Sequence, residues 1–358
     1  MNIHLSISFV WSDLADTCIF KLTILLEFNQ SHPAILSHNL SLSTMEHFRH
    51  TAHIGTHSLS YALRGIPRHP GAPLVVVLTG ITSSALEWSA VCRHLEHEAS
   101  VLLYERTGYG QSEACPTAEP DSLTIVDELS RLLVATALPP PYLVMGHSWG
   151  GILAREFLAA RGHEAICGMV LVDAVQERML FETWPDPSIA AVTAGLDYME
   201  VVGLTRDHRL TESEWAELMA EEASPHHERQ AVRELPYLQI SRKLLAQKHQ
   251  VLPGRNLLHS KPLSVLRGNS LRDQERMYYR GVAEGLGTEA QRATFRDYLD
   301  KWDRSEEAFQ RELLNLSTTA RFSTTSQSGH NIQITEPERV ADEIRWVLRQ
   351  ISSVAIAI

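Results

Sequence analysis

The stretch Leu143-Val144-Met145-Gly146-His147-Ser148-Trp149-Gly150-Gly151 constrains the fold more than any other part of the chain. An apolar run, led in by Pro139, Pro140, Pro141 and Tyr142, stops abruptly at Gly-x-Ser-x-Gly, and a helical pattern (Ile152, Leu153, Phe157, Leu158) begins at once. The order is strand, sharp turn, helix. A serine on such a turn is held in a strained backbone conformation with its hydroxyl clear of the sheet. The flanking glycines are required because strand and helix backbones approach so closely that a Cβ would collide. The pattern makes Ser148 a candidate nucleophile on a nucleophile elbow.

The periodicity on either side extends this unit into a sheet. Residues 46–54 and 57–64 read as two strands around Gly55. Leu74–Leu78, Val101–Tyr104 and Met169–Val172 are short continuous apolar runs, as expected of strands buried on both faces, and the sheet resumes at Leu263-Ser264-Val265-Leu266. Between them, residues 86–95 and 123–137 carry apolar residues at helical spacing. Strands alternating with helices predict an α/β, doubly wound, mostly parallel sheet. The alternation lapses after Asp173. Residues 176–258 read as amphipathic helices, one opened by the capping box Thr211-x-x-Glu214, and are expected to form a lid inserted above the strand ends. A charged helical stretch (271–315), a last strand near 320–325 and a helix opened by Thr335-x-x-Glu338 close the domain. Residues 1–44 fit no later pattern and read as a poorly ordered arm, or as a translation-start extension ahead of Met45. Residues 353–358 read as a tail.

Composition excludes several function classes. With 358 residues, 44% of them hydrophobic, there is ample material for a buried core. The net charge of −11 argues against nucleic acid or an anionic membrane as partner. No apolar run approaches the roughly 20 residues of a membrane span, and no basic residue precedes Lys21 as a secretory signal would require. The four cysteines are widely spaced and read as free thiols, which points to the cytoplasm. His47, His50, His53 and His57 cannot share a strand face, so they are not read as a metal site. His226-His227 and Glu221-Glu222 read as a solvated helix end. Trp149 reads equally as a pocket wall or as core packing. No cofactor is expected, because no phosphate loop or ligand cluster is present, and the oligomeric state is left open.

A serine hydroxyl is nearly inert at neutral pH; it needs an adjacent base, and the base needs an acid to orient it. In a parallel sheet the loops at the carboxyl ends of the strands converge, so the partners are sought there. Of the 18 histidines, only His330 follows the final strand beside a glycine, in Ser328-Gly329-His330, and it is the candidate general base. Two acids compete: Asp173, at the end of the strand after the elbow, and Asp273, which falls a turn late after Leu266 in a segment that reads as a helix start. Asp173 is preferred. For an oxyanion hole, the elbow supplies the Trp149 N–H, and the loop Thr79-Gly80-Ile81-Thr82 supplies a second amide, assigned to Ile81 with Thr82 behind it.

Taken together these motifs resemble the α/β-hydrolase superfamily, from about Met45 to Gln350. Tyr104-Glu105-Arg106-Thr107-Gly108-Tyr109-Gly110-Gln111-Ser112 resembles its Asp-Arg-x-Gly-x-Gly-x-Ser loop, with Glu105 in place of aspartate. Gly329-His330-Asn331-Ile332 followed by Glu336-Pro337-Glu338 resembles its catalytic-histidine loop. The resemblance implies a hydrolase core at 45–175 and 259–352. Two departures stand out: Thr79-Gly80 replaces the usual His-Gly, and the usual aspartate after the penultimate strand is absent. Some branches, including one subgroup of haloalkane dehalogenases, place the acid where Asp173 lies. Dehalogenases and epoxide hydrolases use a carboxylate nucleophile, so Ser148 speaks against both. The leading expectation is a serine hydrolase acting on a small, largely apolar ester, lactone or thioester. Carbon–carbon bond hydrolysis or acyl transfer with the same triad comes second, and a non-catalytic receptor third.

Overall fold

The computed structural model describes residues 4–11, 18–25, 50–179 and 186–356. The chain forms an eight-stranded sheet in the order β10-β9-β8-β7-β5-β6-β4-β3. Its strands are β3 (His50–His53), β4 (Ser58–Gly65), β5 (Leu74–Leu78), β6 (Ser100–Tyr104), β7 (Tyr142–His147), β8 (Ile166–Val172), β9 (Leu263–Arg267) and β10 (Ala320–Thr324). From β6 to β10 all neighbours pair in parallel; β4 and β3 add an antiparallel edge. Within residues 1–44, β1 (His4–Trp11) and β2 (Cys18–Leu25) pair antiparallel in a separate hairpin.

The continuous apolar runs are the central strands, and their alternation divides them between two cores. Leu74, Val76 and Leu78 face one layer with Val144, Met169 and Leu171. Val75 and Val77 face the other with Leu143, Met145, Val170 and Val172. Helix α2 (Ser122–Ala135) and helix α3 (Gly150–Ala165) cover the first layer through Ile125, Leu129, Leu132 and Phe157. Helix α1 (Ser89–His94) and the closing helix α13 (Pro337–Ile356) cover the second through Val91, Val340, Ile344 and Val347. Each such side chain contributes about 1.5–3 kcal/mol on burial. Helix α13 runs past the expected boundary at 352, so most of the anticipated tail is helical.

Between β8 and β9 the chain leaves the sheet and forms α4 (Pro187–Thr193), α5 (Tyr198–Val202), α6 (Leu204–Asp207), α7 (Glu212–Glu222), α8 (Pro225–Glu234) and α9 (Tyr237–Ala246). The capping box Thr211/Glu214 opens α7 as read from the sequence. Two further helices, α10 (Ser270–Ala283) and α11 (Glu289–Glu312), follow β9. They join the insertion: Tyr278 and Phe295 pack on Ile189 and Val192, and a Cβ at Gly281 would lie 1.9 Å from the Val192 carbonyl oxygen.

Candidate active site

Strand β7 ends at His147, α3 begins at Gly150, and Ser148 sits between them at φ 54°. For a residue with a Cβ this left-handed conformation costs about 1–2 kcal/mol, and the surroundings hold it. The Ser148 N–H donates to the Val172 carbonyl (3.2 Å), and the Val175 N–H donates to the Ser148 carbonyl (2.8 Å). The end of β8 thus fixes the serine from both sides. The glycines are needed as expected: a Cβ at Gly146 would lie 2.3 Å from the Gly150 carbonyl oxygen, and one at Gly150 would lie 2.0 Å from that of Leu78.

Asp173 follows β8 directly, also at positive φ (39°), and its N–H continues the ladder to the Leu266 carbonyl at 2.7 Å. The buried carboxylate accepts the Gly268 N–H (2.8 Å) and the Gln310 side-chain amide (3.1 Å) on Oδ1. Its Oδ2 lies 2.6 Å from His330 Nδ1. Asp273, the competing acid, also reaches His330, but at the backbone: its Oδ2 accepts the His330 N–H at 2.9 Å. A Cβ at Gly329 would lie 1.8 Å from that oxygen, so the glycine before the histidine makes room for the Asp273 carboxylate. One carboxylate meets the ring and the other fixes the loop that carries it. Thr335 lies in the short helix α12 (Ile332–Thr335), where its hydroxyl bonds Ser328 Oγ (2.6 Å) and the Asn331 carbonyl (3.0 Å), tying down the histidine loop.

Burial works to lower the His330 pKa, but the Asp173 hydrogen bond and charge, with the charges of Asp273 and Glu306, outweigh it and raise the pKa above its ordinary 6.5. Nearby His147 goes the other way. Burial, then the charge of His330, push it down to about 3, and its Nε2 donates to the His330 carbonyl at 3.0 Å. It is a neutral packing group. Glu306 beneath Gln310 is pushed up to about 7, by burial first and then by Asp173.

Ser148, Asp173 and His330 line one cavity of about 190 Å³, with Ile81, Tyr198, Leu238, Tyr298 and Trp302 among its walls. A second cavity of about 430 Å³ shares Ile81 and Tyr198 with it and is walled by Leu204, Val232, Leu235 and Ile334. The loop after β5 passes beside the serine: a Cβ at Gly80 would be 3.4 Å from Ser148 Cβ. Among the described residues no protein acceptor takes the backbone N–H of Ile81 or of Trp149. The Thr82 amide, held in reserve on sequence grounds, is instead taken by Glu234 Oε2 at 2.7 Å. The Trp149 side chain is fully buried in the core, with the Arg106 guanidinium 5.6 Å from its ring centroid.

Some readings need correction. His226-His227 and Glu221-Glu222 are not a solvated helix end: His227 is buried, and Glu221 accepts the Gly110 N–H at 2.8 Å. The segment looks solvated in sequence because its polar groups bond to loops distant along the chain. The wall formed by Tyr298, Trp302 and Glu306, and the Gln310 amide behind Asp173, were also missed, since α11 is a charged helix whose few inward positions carry no motif. Glu105, the departure from the family's aspartate, is buried and accepts Ser84 Oγ (2.6 Å) and the Ala85 N–H (3.1 Å). Among the described residues no group of three or more His, Cys, Asp or Glu is placed to hold a metal, and no helix is long and apolar enough to cross a membrane.

The family model described as "Alpha/beta hydrolase family" matches residues 75–343. The chain belongs to this family. It is therefore an enzyme of the α/β-hydrolase superfamily. An "AB hydrolase superfamily protein" of Gibberella zeae is 29% identical over 299 residues, covering 81% of this chain and 91% of that protein. The "Probable transporter efuK" of Hormonema carpetanum is 30% identical over 314 residues; the match covers 83% of this chain but only 42% of that longer protein. Among solved structures, an ancestral haloalkane dehalogenase superposes with a TM-score of 0.59 at 15% identity, over 85% of this chain and 99% of its own. The epoxide hydrolase CorEH does so with a TM-score of 0.54 at 16% identity, over 84% and 98%. At such identities the likeness concerns the fold.

Proposed function

We propose that this hydrolase is a serine esterase that cleaves carboxylic esters, lactones or thioesters through an acyl-enzyme. The observation that carries this reading is the shared cavity. Ser148 stands at positive φ on the elbow, His330 lines the same space, and the histidine's Nδ1 is 2.6 Å from the buried Asp173 carboxylate. With Nδ1–H directed at Asp173, the Nε2 lone pair is the free base of the ring. It accepts the Ser148 proton as Oγ attacks the substrate carbonyl. The Ile81 and Trp149 amides stabilise the oxyanion, a donor pair of which each member is worth about 3 kcal/mol. His330 then gives its proton to the departing alcohol or thiol. Water attacks the acyl-Ser148 ester, His330 takes the water's proton, and the carboxylic acid leaves with Ser148 Oγ–H restored.

The elbow serine separates this reading from the dehalogenase and epoxide hydrolase neighbours, whose chemistry needs a carboxylate there. The second cavity, whose exposed surface is mostly apolar although Glu87, Asp197, Glu222 and Glu228 also line it, supports an apolar substrate arm extending past Tyr198, beneath helices α5, α6 and α8 acting as a lid. A fluorophosphonate is expected to label the wild-type chain at Ser148 and to leave Ser148→Ala unlabelled, with hydrolysis of p-nitrophenyl butyrate abolished by the same change. A wild-type chain that does not label, or a variant that still turns over, refutes the serine mechanism.

A further inference from the structure

We propose that helix α8 completes the oxyanion hole, with Glu234 and His227 as positioning residues that aim the Ile81 amide by clamping the loop on either side of it. The inference rests on the serine-esterase reading above. Ile81 N–H belongs to the same planar peptide as the Gly80 carbonyl, and in a trans peptide the two point in opposite directions. Whatever holds the Gly80 oxygen therefore aims the Ile81 hydrogen. That oxygen is held by Arg106 Nη2 at 3.0 Å, and Arg106 Nη1 bonds Thr79 Oγ1 in the same loop. Arg106 is held in turn by Glu234, with Nε on Oε1 and Nη2 on Oε2, both at 2.8 Å.

The peptides beyond Ile81 are clamped by the same helix. Glu234 Oε2 accepts the Thr82 N–H at 2.7 Å, and His227 Nε2 donates to the Thr82 carbonyl at 2.9 Å. Thr82 is β-branched and sits at φ 56°, a conformation that persists only where its neighbours over-determine it. The Tyr109 hydroxyl gives Glu234 a further donor at 3.0 Å, and its ring meets the His227 ring edge-on at 4.8 Å. Glu234, Arg106, Tyr109 and His227 are all buried. A buried, bidentate arginine–carboxylate pair is rigid and directional. It joins a loop of the sheet to a helix of the insertion, so the amide is aimed only while α8 is docked.

Kinetics on Glu234→Gln test this, with active sites counted by fluorophosphonate titrated to completion. Per titrated site, kcat for p-nitrophenyl butyrate is expected to fall about 10- to 100-fold, below the full loss of an oxyanion donor because the amide is misaimed rather than removed. KM should stay within about twofold of wild type, as an interaction made in the transition state requires. Inhibition by phenylboronic acid, whose tetrahedral adduct uses the hole, should weaken in parallel. A merely structural role would lower the number of titratable sites and leave each remaining site at the wild-type kcat. Should Glu234→Gln fail to fold, His227→Phe keeps the ring against Tyr109 while removing the bond to Thr82, and His227→Gln can restore that donor. A severalfold drop in per-site kcat for the first, recovered in the second, supports the clamp. Unchanged per-site kcat and boronate affinity in the variants that fold overturn it. Failure of the wild type to titrate refutes the serine mechanism instead.

Discussion

Replacing Asp173 by asparagine should damage the enzyme through a tautomer, and the structure dictates the direction. Asp173 Oδ1 receives two donors, the Gly268 N–H at 2.8 Å and the Gln310 amide at 3.1 Å, while Oδ2 faces His330 Nδ1 at 2.6 Å. An asparagine has one acceptor oxygen. The Gly268 donor is backbone and cannot turn away, so the oxygen takes the Oδ1 position and the NH2 group faces His330. Nδ1 must then accept, Nε2 carries the hydrogen, and the base that should take the Ser148 proton is gone. An error of this kind costs about 10⁴ in kcat, or ~5.4 kcal/mol at 1.36 kcal/mol per decade. Asp273→Asn is the control. Its oxygen can keep the His330 N–H; the change loses the ion pair with Arg272 and one of the lesser charges that raise the His330 pKa, so kcat should fall less than about tenfold. The assay is p-nitrophenyl butyrate hydrolysis across pH, with folding checked by circular dichroism and Tm. A more crippled Asp273→Asn, or an Asp173→Asn within tenfold of wild type, would refute the reasoning.

Other outcomes follow from the same geometry. In the proposed mechanism His330 works as a neutral base, and its pKa is raised, so the acid limb of kcat/KM should lie above pH 6.5 in the wild type and shift down in Asp173→Asn, where the main raising group is lost. Gly150→Ala places a Cβ 2.0 Å from the Leu78 carbonyl oxygen and should cost about 3 kcal/mol or more, read as a loss of Tm or of soluble protein. Glu222, lining the larger cavity, is pushed up to about 8 by burial first and then by Glu87. A raised carboxyl favours folding below its unfolded value near 4.5 and loses that contribution as pH climbs through about 8. Glu222→Gln should therefore flatten the fall in Tm between pH 5 and pH 9, and an unchanged profile counts against the assignment.

The sheet was legible because burial on both faces leaves an unmistakable trace: Leu74–Leu78 and Met169–Val172 admit no polar residue. The elbow was legible because close backbone contacts demand glycine at 146 and at 150, on either side of the serine. His330 was singled out by its place after the last strand, and the fold sets its Nδ1 2.6 Å from Asp173. What could not be read was polar structure formed across long sequence separations. Thr82 meets Glu234 across 152 positions, and nothing local at either site announces the bond. The helices α10 and α11 were visible as helices, but their role as cavity wall depends on which face meets the insertion. A charged amphipathic pattern such as that of Tyr298, Trp302 and Glu306 does not encode this.

The place of Asp173, the proposed acid, can be traced to the ends of two neighbouring strands. Strands β8 and β9 are parallel neighbours with Val172 opposite Leu266, so Asp173 and the residues after Leu266 open onto the same side of the same gap. A carboxylate from either strand end can approach an imidazole arriving from the loop after β10; in this chain Asp173 meets the ring and Asp273 meets the backbone N–H. Gly268 records which was chosen. A Cβ there would lie 3.4 Å from Asp173 Cγ and 2.2 Å from the Gly329 carbonyl oxygen, so a side chain could not enter without displacing the histidine loop. Its bare N–H instead becomes a donor to Asp173. The carboxylate at 173 and the glycine at 268 are therefore two halves of one arrangement. Placing the proposed acid at the end of β9 instead would require relocating the loop that carries His330 as well as exchanging two side chains.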